Sequence, residues 1–175
     1  MATESTDYRS LIRDIPDFPQ AGIMFRDITP LLGDAEAYRA SIQALAEPFR
    51  GAGIDQVAAI EARGYMLGCP LAVELGAGFV PIRKLGKLPF ETFQAEYSLE
   101  YGEAVIEIHR DALLAHHRVL LIDDVLATGG TMAAAINLIE QSGATIAGVA
   151  VLVELGALGG REALVGQDLF SLITL

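Results

Sequence analysis

Short unbroken apolar runs alternate along this chain with stretches whose apolar residues recur at helical spacing. Val57 to Ile60, Phe79 to Ile82, Ala104 to Ile108, Val119 to Ile122, Thr145 to Glu154 and Leu169 to Ile173 have the length and apolar character of strands. Between them, Tyr38, Ile42, Leu45 and Phe49 form one stripe along a predicted helix from Ala35 to Arg50, which Pro48 can end early. A second helix is predicted from Tyr65 to Leu75, stopped by Gly76 and Gly78, and a third carries Met132, Ile136 and Ile139 up to Ser142 and Gly143. Strand, helix, strand repeated in this way predicts an α/β fold built on a central, mostly parallel, five-stranded sheet flanked by helices.

Three stretches break the rhythm. Tyr8, Leu11, Ile12 and Ile15 carry helical spacing and predict a short helix ended by Pro16 and Pro19. Residues 20 to 34 mix glycine, proline and charge around apolar residues and predict an ordered loop. Residues 83 to 97 are basic at first, then aromatic and irregular. The tail carries a short helical piece around Glu162 to Leu164. No repeat or long linker interrupts the chain, so residues 1–175 are expected to form a single domain.

Composition narrows the class. With 175 residues, 52% of them apolar, the chain can build one substantial core. Twelve basic against 23 acidic residues, a net charge of -11, argue against a nucleic-acid surface. A single cysteine, Cys69, excludes an internal disulfide and is expected in the core of its helix; a reducing, cytoplasmic setting follows. Neither a leader pattern nor an apolar run of membrane length is present, so no membrane partner is expected. His109, His116 and His117 lack the spacing of a metal site.

The chemistry concentrates between Val119 and Thr131, in VLLIDDVLATGGT. An apolar strand runs into Asp123 and Asp124, and a Thr-Gly-Gly-Thr turn then opens a helix. Carboxylates at a strand end can accept from a polyol, and the amides and hydroxyls of Ala127, Thr128, Gly129, Gly130 and Thr131 can wrap a phosphate at a helix start. Neither GxxxxGK nor GxGxxG is present, which excludes a Walker loop and a dinucleotide fingerprint.

This segment resembles the 5-phosphoribosyl 1-diphosphate motif of type I phosphoribosyltransferases. IPDFPQAGIMFRDITPLL, EARGYMLG, IRKLGKLP and YSLEYG resemble, in order, the pieces that characterise the adenine phosphoribosyltransferase family. The resemblance implies a type I phosphoribosyltransferase fold with a small hood from residues 8–34 and a mobile loop. The implied reaction is Mg²⁺-dependent transfer of 5-phosphoribosyl from 5-phosphoribosyl 1-diphosphate to N9 of adenine, giving AMP and diphosphate.

By the same resemblance, Asp123 and Asp124 hold the ribose hydroxyls and Mg²⁺, and residues 127 to 131 hold the 5-phosphate. Glu61, Ala62, Arg63, Arg83, Lys84 and Lys87 line the pyrophosphate, with backbone amides beside a cis peptide at Glu61 and Ala62. Met24, Phe25 and Arg26 receive adenine, Phe25 by stacking and the backbone by pairing with N6 and N1. Arg63, Glu100 and Tyr101 are the implied catalytic residues: Glu100 handles a purine proton and Tyr101 closes the lid. A homodimer is implied too, in which the Arg83 loop reaches the partner's site. Two alternatives stay open: the same transfer to hypoxanthine, guanine or xanthine, and a regulator that only senses phosphoribosyl diphosphate.

Overall fold

The computed structural model describes residues 7–98 and 103–175. In chain order the strands and helices are β1 (Arg13–Pro16), β2 (Met24–Asp27), α1 (Thr29–Gly33), α2 (Ala35–Ala46), β3 (Gln56–Ile60), α3 (Arg63–Leu75), β4 (Gly78–Lys84), β5 (Thr92–Ser98), β6 (Glu103–His109), β7 (Arg118–Leu126), α4 (Gly130–Gln141), β8 (Thr145–Glu154) and β9 (Leu169–Thr174). Short 3₁₀ turns cover Tyr8–Leu11, Glu47–Phe49, Gly156–Leu158 and Gly160–Leu164.

The main sheet has seven strands in the order β5-β6-β4-β3-β7-β8-β9. Five of them, β4, β3, β7, β8 and β9, are parallel. The β5 and β6 hairpin extends this predicted five-stranded core by antiparallel pairing on β4. Both faces of the sheet are covered, which explains the unbroken apolar runs. Along β7, Val119 and Leu121 point into the core under α4, while Leu120 and Ile122 point into the core under α2 and α3. Asp123 and Asp124 interrupt the apolar alternation near the strand's carboxyl end, and Val125 and Leu126 then resume it on the two cores.

The expected helix over residues 8 to 15 is only a 3₁₀ turn, Tyr8–Leu11; Ile15 lies in β1 and pairs with Phe25. Four apolar residues at helical spacing fit a turn followed by a strand equally well, and Pro16 leaves no room for a helix. The loop expected over 20 to 34 is instead strand β2 and helix α1, which starts with Pro30 in its first turn. Nor is the stretch 83–97 irregular to its end, since β5 occupies Thr92–Ser98 with Ala95 buried and Phe93 and Tyr97 packed on the core. That period of two was present in the sequence, hidden by Gln94 and Glu96 between the apolar residues. Cys69 is exposed, not core; Leu67, Gly68 and Leu71 take the inward face of α3.

Among the described residues no helix is long and apolar enough to cross a membrane. The remaining two-stranded sheet, β1 with β2, stands apart as a small hood.

Candidate active site

Parallel topology brings the loops after β3, β4 and β7 to one edge of the sheet, the carboxyl ends of neighbouring strands. α3 and α4 both begin there. Neither has a side-chain cap: Ala62 precedes α3 and Gly129 precedes α4. α2, by contrast, is capped by Asp34, which accepts from the amides of Glu36 and Ala37. The free amides of α3 and α4 leave two positive helix ends facing the strand termini, which suits an anionic ligand.

Residues 123 to 132 and Arg63 line one cavity of about 170 Å³. All seven motif residues expected for ribose 5-phosphate, Asp123, Asp124, Ala127, Thr128, Gly129, Gly130 and Thr131, are among them. The loop is shaped by close packing. Gly129 has φ +88°, and a Cβ there would come within 2.7 Å of the Gly160 carbonyl oxygen, so only glycine lets the loop lie on the 3₁₀ turn behind it. Gly64 performs a similar service for α3: a Cβ would sit 2.9 Å from Asp123 Oδ1.

The acidic pair is electrostatically unsettled. Asp124 is buried at 3% exposure, while Asp123 keeps some solvent access. Burial, then the neighbouring Asp124 charge, pushes the Asp123 carboxyl well above its usual range. Burial raises Asp124 as well, opposed by Arg63. The Asp124 amide donates to Asp123 Oδ1 at 2.9 Å. Arg63 Nε lies 2.8 Å from Asp124 Oδ2, yet that buried oxygen accepts no aligned hydrogen bond from any described group. An orphaned buried carboxylate oxygen is one that a cation or a ligand hydroxyl would satisfy. Among the described residues no three acidic, histidine or cysteine side chains cluster for a metal. Two carboxylates with room for a phosphorylated ligand fit Mg²⁺, which takes few protein ligands and completes its shell with water and phosphate oxygen.

Arg63 links this cavity to the hood. Its guanidinium carbon lies 4.9 Å from the centroid of the Phe25 ring. Phe25 is half-buried and meets Phe18 edge-on at 5.1 Å. The hood is stapled by charge: Asp14 pairs with both Arg26 and Arg9, and these cations hold its carboxyl below the usual range. Arg26 thus turns its side chain to Asp14, and Met24 is exposed.

The basic residues divide. The Glu61–Ala62 peptide is cis. Glu61 accepts from Arg83 Nε at 3.2 Å and from the Lys84 amide at 3.0 Å, and these contacts, chiefly the amide, lower its carboxyl. Arg83 therefore folds back onto its own chain and also donates to the Lys87 carbonyl at 3.0 Å. Lys84 and Lys87 are exposed. Glu100 and Tyr101 lie outside the described residues.

The short helical piece expected around Glu162 to Leu164 is the Gly160–Leu164 turn, but sequence reasoning passed over its contact with Gly129, and with it Asp14 and Glu107. Asp14 is one of several charged residues between Asp7 and Asp17, with no spacing that marks it. The contact of the turn with Gly129 joins positions 31 residues apart and left no local signal. Glu107 did leave one, a carboxylate alone within the apolar run Val105 to Ile108.

A parallel sheet with an acidic pair near the carboxyl end of β7 and a glycine turn opening an uncapped helix suits phosphoribosyl transfer. Residues 32–165 accordingly match the phosphoribosyl transferase domain family. The chain is 56% identical to an adenine phosphoribosyltransferase of Thermobifida fusca over 97% of its own length and 99% of that protein. The solved adenine phosphoribosyltransferase of Thermoanaerobacter pseudethanolicus superposes with a TM-score of 0.94 at 51% identity, covering 97% of this chain and 98% of that one. That of Saccharomyces cerevisiae, solved with an imino-altritol bisphosphate and adenine, gives 0.90 at 38% identity over 95% and 96%. The chain belongs to the adenine phosphoribosyltransferase family.

Proposed function

We propose that this protein transfers the 5-phosphoribosyl group of 5-phosphoribosyl 1-diphosphate to N9 of adenine, releasing diphosphate and AMP, and that residues 1–175 act as one cytoplasmic catalytic domain. The observation that carries the reading is the bridging position of Arg63, in contact with Phe25 on one side and Asp124 on the other. A base on Phe25 and a ribose on the acidic pair would then meet across one guanidinium, the order a glycosyl transfer needs.

In this reading Asp123 and Asp124 accept from the ribose hydroxyls, and the 127 to 131 turn holds the 5-phosphate on amides and the Thr128 and Thr131 hydroxyls. Arg63 and the uncapped start of α3 face the departing diphosphate, where negative charge grows as the bond to C1 breaks. Bound Mg²⁺, held through Asp123 and Asp124, supplies further neutralisation of that charge. Met24, Phe25 and Arg26 form the base platform, with the β2 backbone offering both a donor and an acceptor to the purine edge. An oxopurine reverses that pattern and leaves buried groups unpaired. Glu100 and Tyr101 are assigned to the purine proton and to closure.

A homodimer completes the proposal, with the Arg83, Lys84 and Lys87 loop contributing to the partner's site. The loop itself is open to a partner: Leu85 is 52% exposed, and Lys84 and Lys87 on either side of it are exposed too.

Incubation with phosphoribosyl diphosphate, Mg²⁺ and adenine, hypoxanthine, guanine or xanthine in turn tests the reading. Only adenine is expected to yield nucleotide. Turnover of an oxopurine alone, or ligand binding without turnover, would overturn it.

A further inference from the structure

Five polar side chains are buried among the described residues: Asp27, Ser41, Glu107, Asp124 and Glu154. Asp124 belongs to the site above. Asp27 and Glu154 each pair with an arginine, and Ser41 donates to the Tyr38 carbonyl of its own helix. Glu107 differs from all of these. It is 3% exposed, and no described lysine, arginine or histidine pairs with it. A carboxylate buried without a cation persists only when its oxygens are fully hydrogen-bonded.

Its three donors come from one segment. Oε1 accepts from the consecutive amides of Lys87 and Leu88, each at 3.0 Å, and Oε2 accepts from Thr92 Oγ1 at 3.2 Å. The first two bonds pin the turn of the basic loop, and the third pins the strand to which that loop returns. From the other side Arg83 closes the loop by donating to the Lys87 carbonyl, and Arg83 is itself held by Glu61, beside Ala62 and Arg63. Glu107 also lies opposite Arg83 in the register of β6 on β4. A continuous set of contacts thus runs from a buried acid in the sheet to the loop that carries Arg83, Lys84 and Lys87.

We infer that Glu107 is a positioning residue: it fixes the basic loop in the conformation that holds the exposed Lys84 and Lys87 ready for the diphosphate. The inference rests on the phosphoribosyl-transfer reading and assigns Glu107 no contact with substrate. It follows that Glu107 governs the handling of phosphoribosyl diphosphate and diphosphate and leaves adenine binding alone. A glutamine should substitute well, because its carbonyl oxygen still accepts from both amides and its NH₂ can donate to Thr92 Oγ1.

The test compares the full-length parent, Glu107→Ala, Glu107→Gln and Thr92→Val in steady-state kinetics, with amide exchange at Lys87 and Leu88 measured in parallel. Glu107→Ala is expected to raise the KM for phosphoribosyl diphosphate about 10-fold or more, with the adenine KM changed by less than about 2-fold. Its Lys87 and Leu88 amides should exchange at least about 10 times faster. Glu107→Gln should stay within about 3-fold of the parent on every measure, and Thr92→Val should shift the same KM by roughly 2- to 5-fold. A folded Glu107→Ala with unchanged KM, or with both KM values raised alike, would overturn the inference. If Glu107→Ala does not fold, an unaltered Thr92→Val would overturn it instead. A parent inactive with adenine would sink the functional reading alone; the Glu107 inference would then be decided by amide exchange and by calorimetric affinity for Mg²⁺-diphosphate, which Glu107→Ala should weaken.

Discussion

Two acid and arginine pairs occupy the carboxyl-end halves of adjacent parallel strands, Asp124 in β7 with Arg63 and Glu154 at the end of β8 with Arg161. Glu154 is fully engaged. Arg161 donates to it at 2.9 and 2.6 Å, Ser171 donates at 2.5 Å, and Arg161 first, with Ser171 behind it, holds its carboxyl below the usual range. Asp124 has one misaligned cation, an orphaned oxygen and a carboxyl raised by burial. The helix starts show the same contrast, with α2 capped by Asp34 and α3 and α4 open. At Glu154 and at the start of α2 the polar groups satisfy one another; at the cavity edge Asp124 Oδ2 and the starts of α3 and α4 are left for a ligand.

The comparison can be broken most forcefully at the cavity. Asp124→Ala should lower kcat/KM for phosphoribosyl diphosphate by about 10²-fold or more while the melting temperature holds or rises. A large fall in melting temperature would place Asp124 with the structural pairs. Next comes Gly129→Val, which forces a β-branched residue to φ +88° against the Gly160 carbonyl. It should cost about 1–3 kcal/mol in denaturant unfolding and raise the same KM by roughly 10-fold, and an unaffected KM would show that the loop does not depend on this packing.

Two milder changes have opposite signs. A lowered carboxyl stabilises the fold above its ordinary pKa and loses that contribution as pH falls through its folded value. Glu154→Gln should therefore lose about 1–2 kcal/mol at neutral pH, an amount discounted because Arg161 is half exposed, and converge with the parent in acid. Catalysis should change less than about 2-fold. A raised carboxyl does the reverse: its relative stabilisation is complete below the ordinary pKa and disappears as pH rises through the folded value. Without Mg²⁺ or substrate, Asp123→Asn should therefore melt roughly 2–4 °C above the parent at neutral pH, with the gap narrowing on acidification. A lower melting temperature in Asp123→Asn would contradict the burial and repulsion that raise its carboxyl.

Much of this was legible in one dimension because it was local. Val119 to Thr131 kept strand, acids, turn and helix start in order, and α2 and β8 fell where apolar spacing and run length put them. Elements whose identity depended on pairing were misread. Ile15 reads as one more helical position until Phe25 lies opposite it, and Gln94 and Glu96 mask β5 until β6 is beside it. Cys69 looked apolar enough for the core, but the orientation of α3 gave that face to Leu67 and Leu71.

The sequence alone therefore determined which residues could do the chemistry, because adjacency in the chain already sets a strand end against a helix start and fixes the donors and acceptors they bear. Tertiary structure decided which of those groups meet and which are left unsatisfied. Arg63 stands between Phe25 and Asp124, Glu107 reaches the amides of a loop about 20 residues before it, and Glu154 has both oxygens hydrogen-bonded while Asp124 Oδ2 has no aligned donor among the described residues. Those outcomes depend on strand order, on burial and on distances through space, and the energies of charged and hydrogen-bonded groups follow such surroundings far more than residue type.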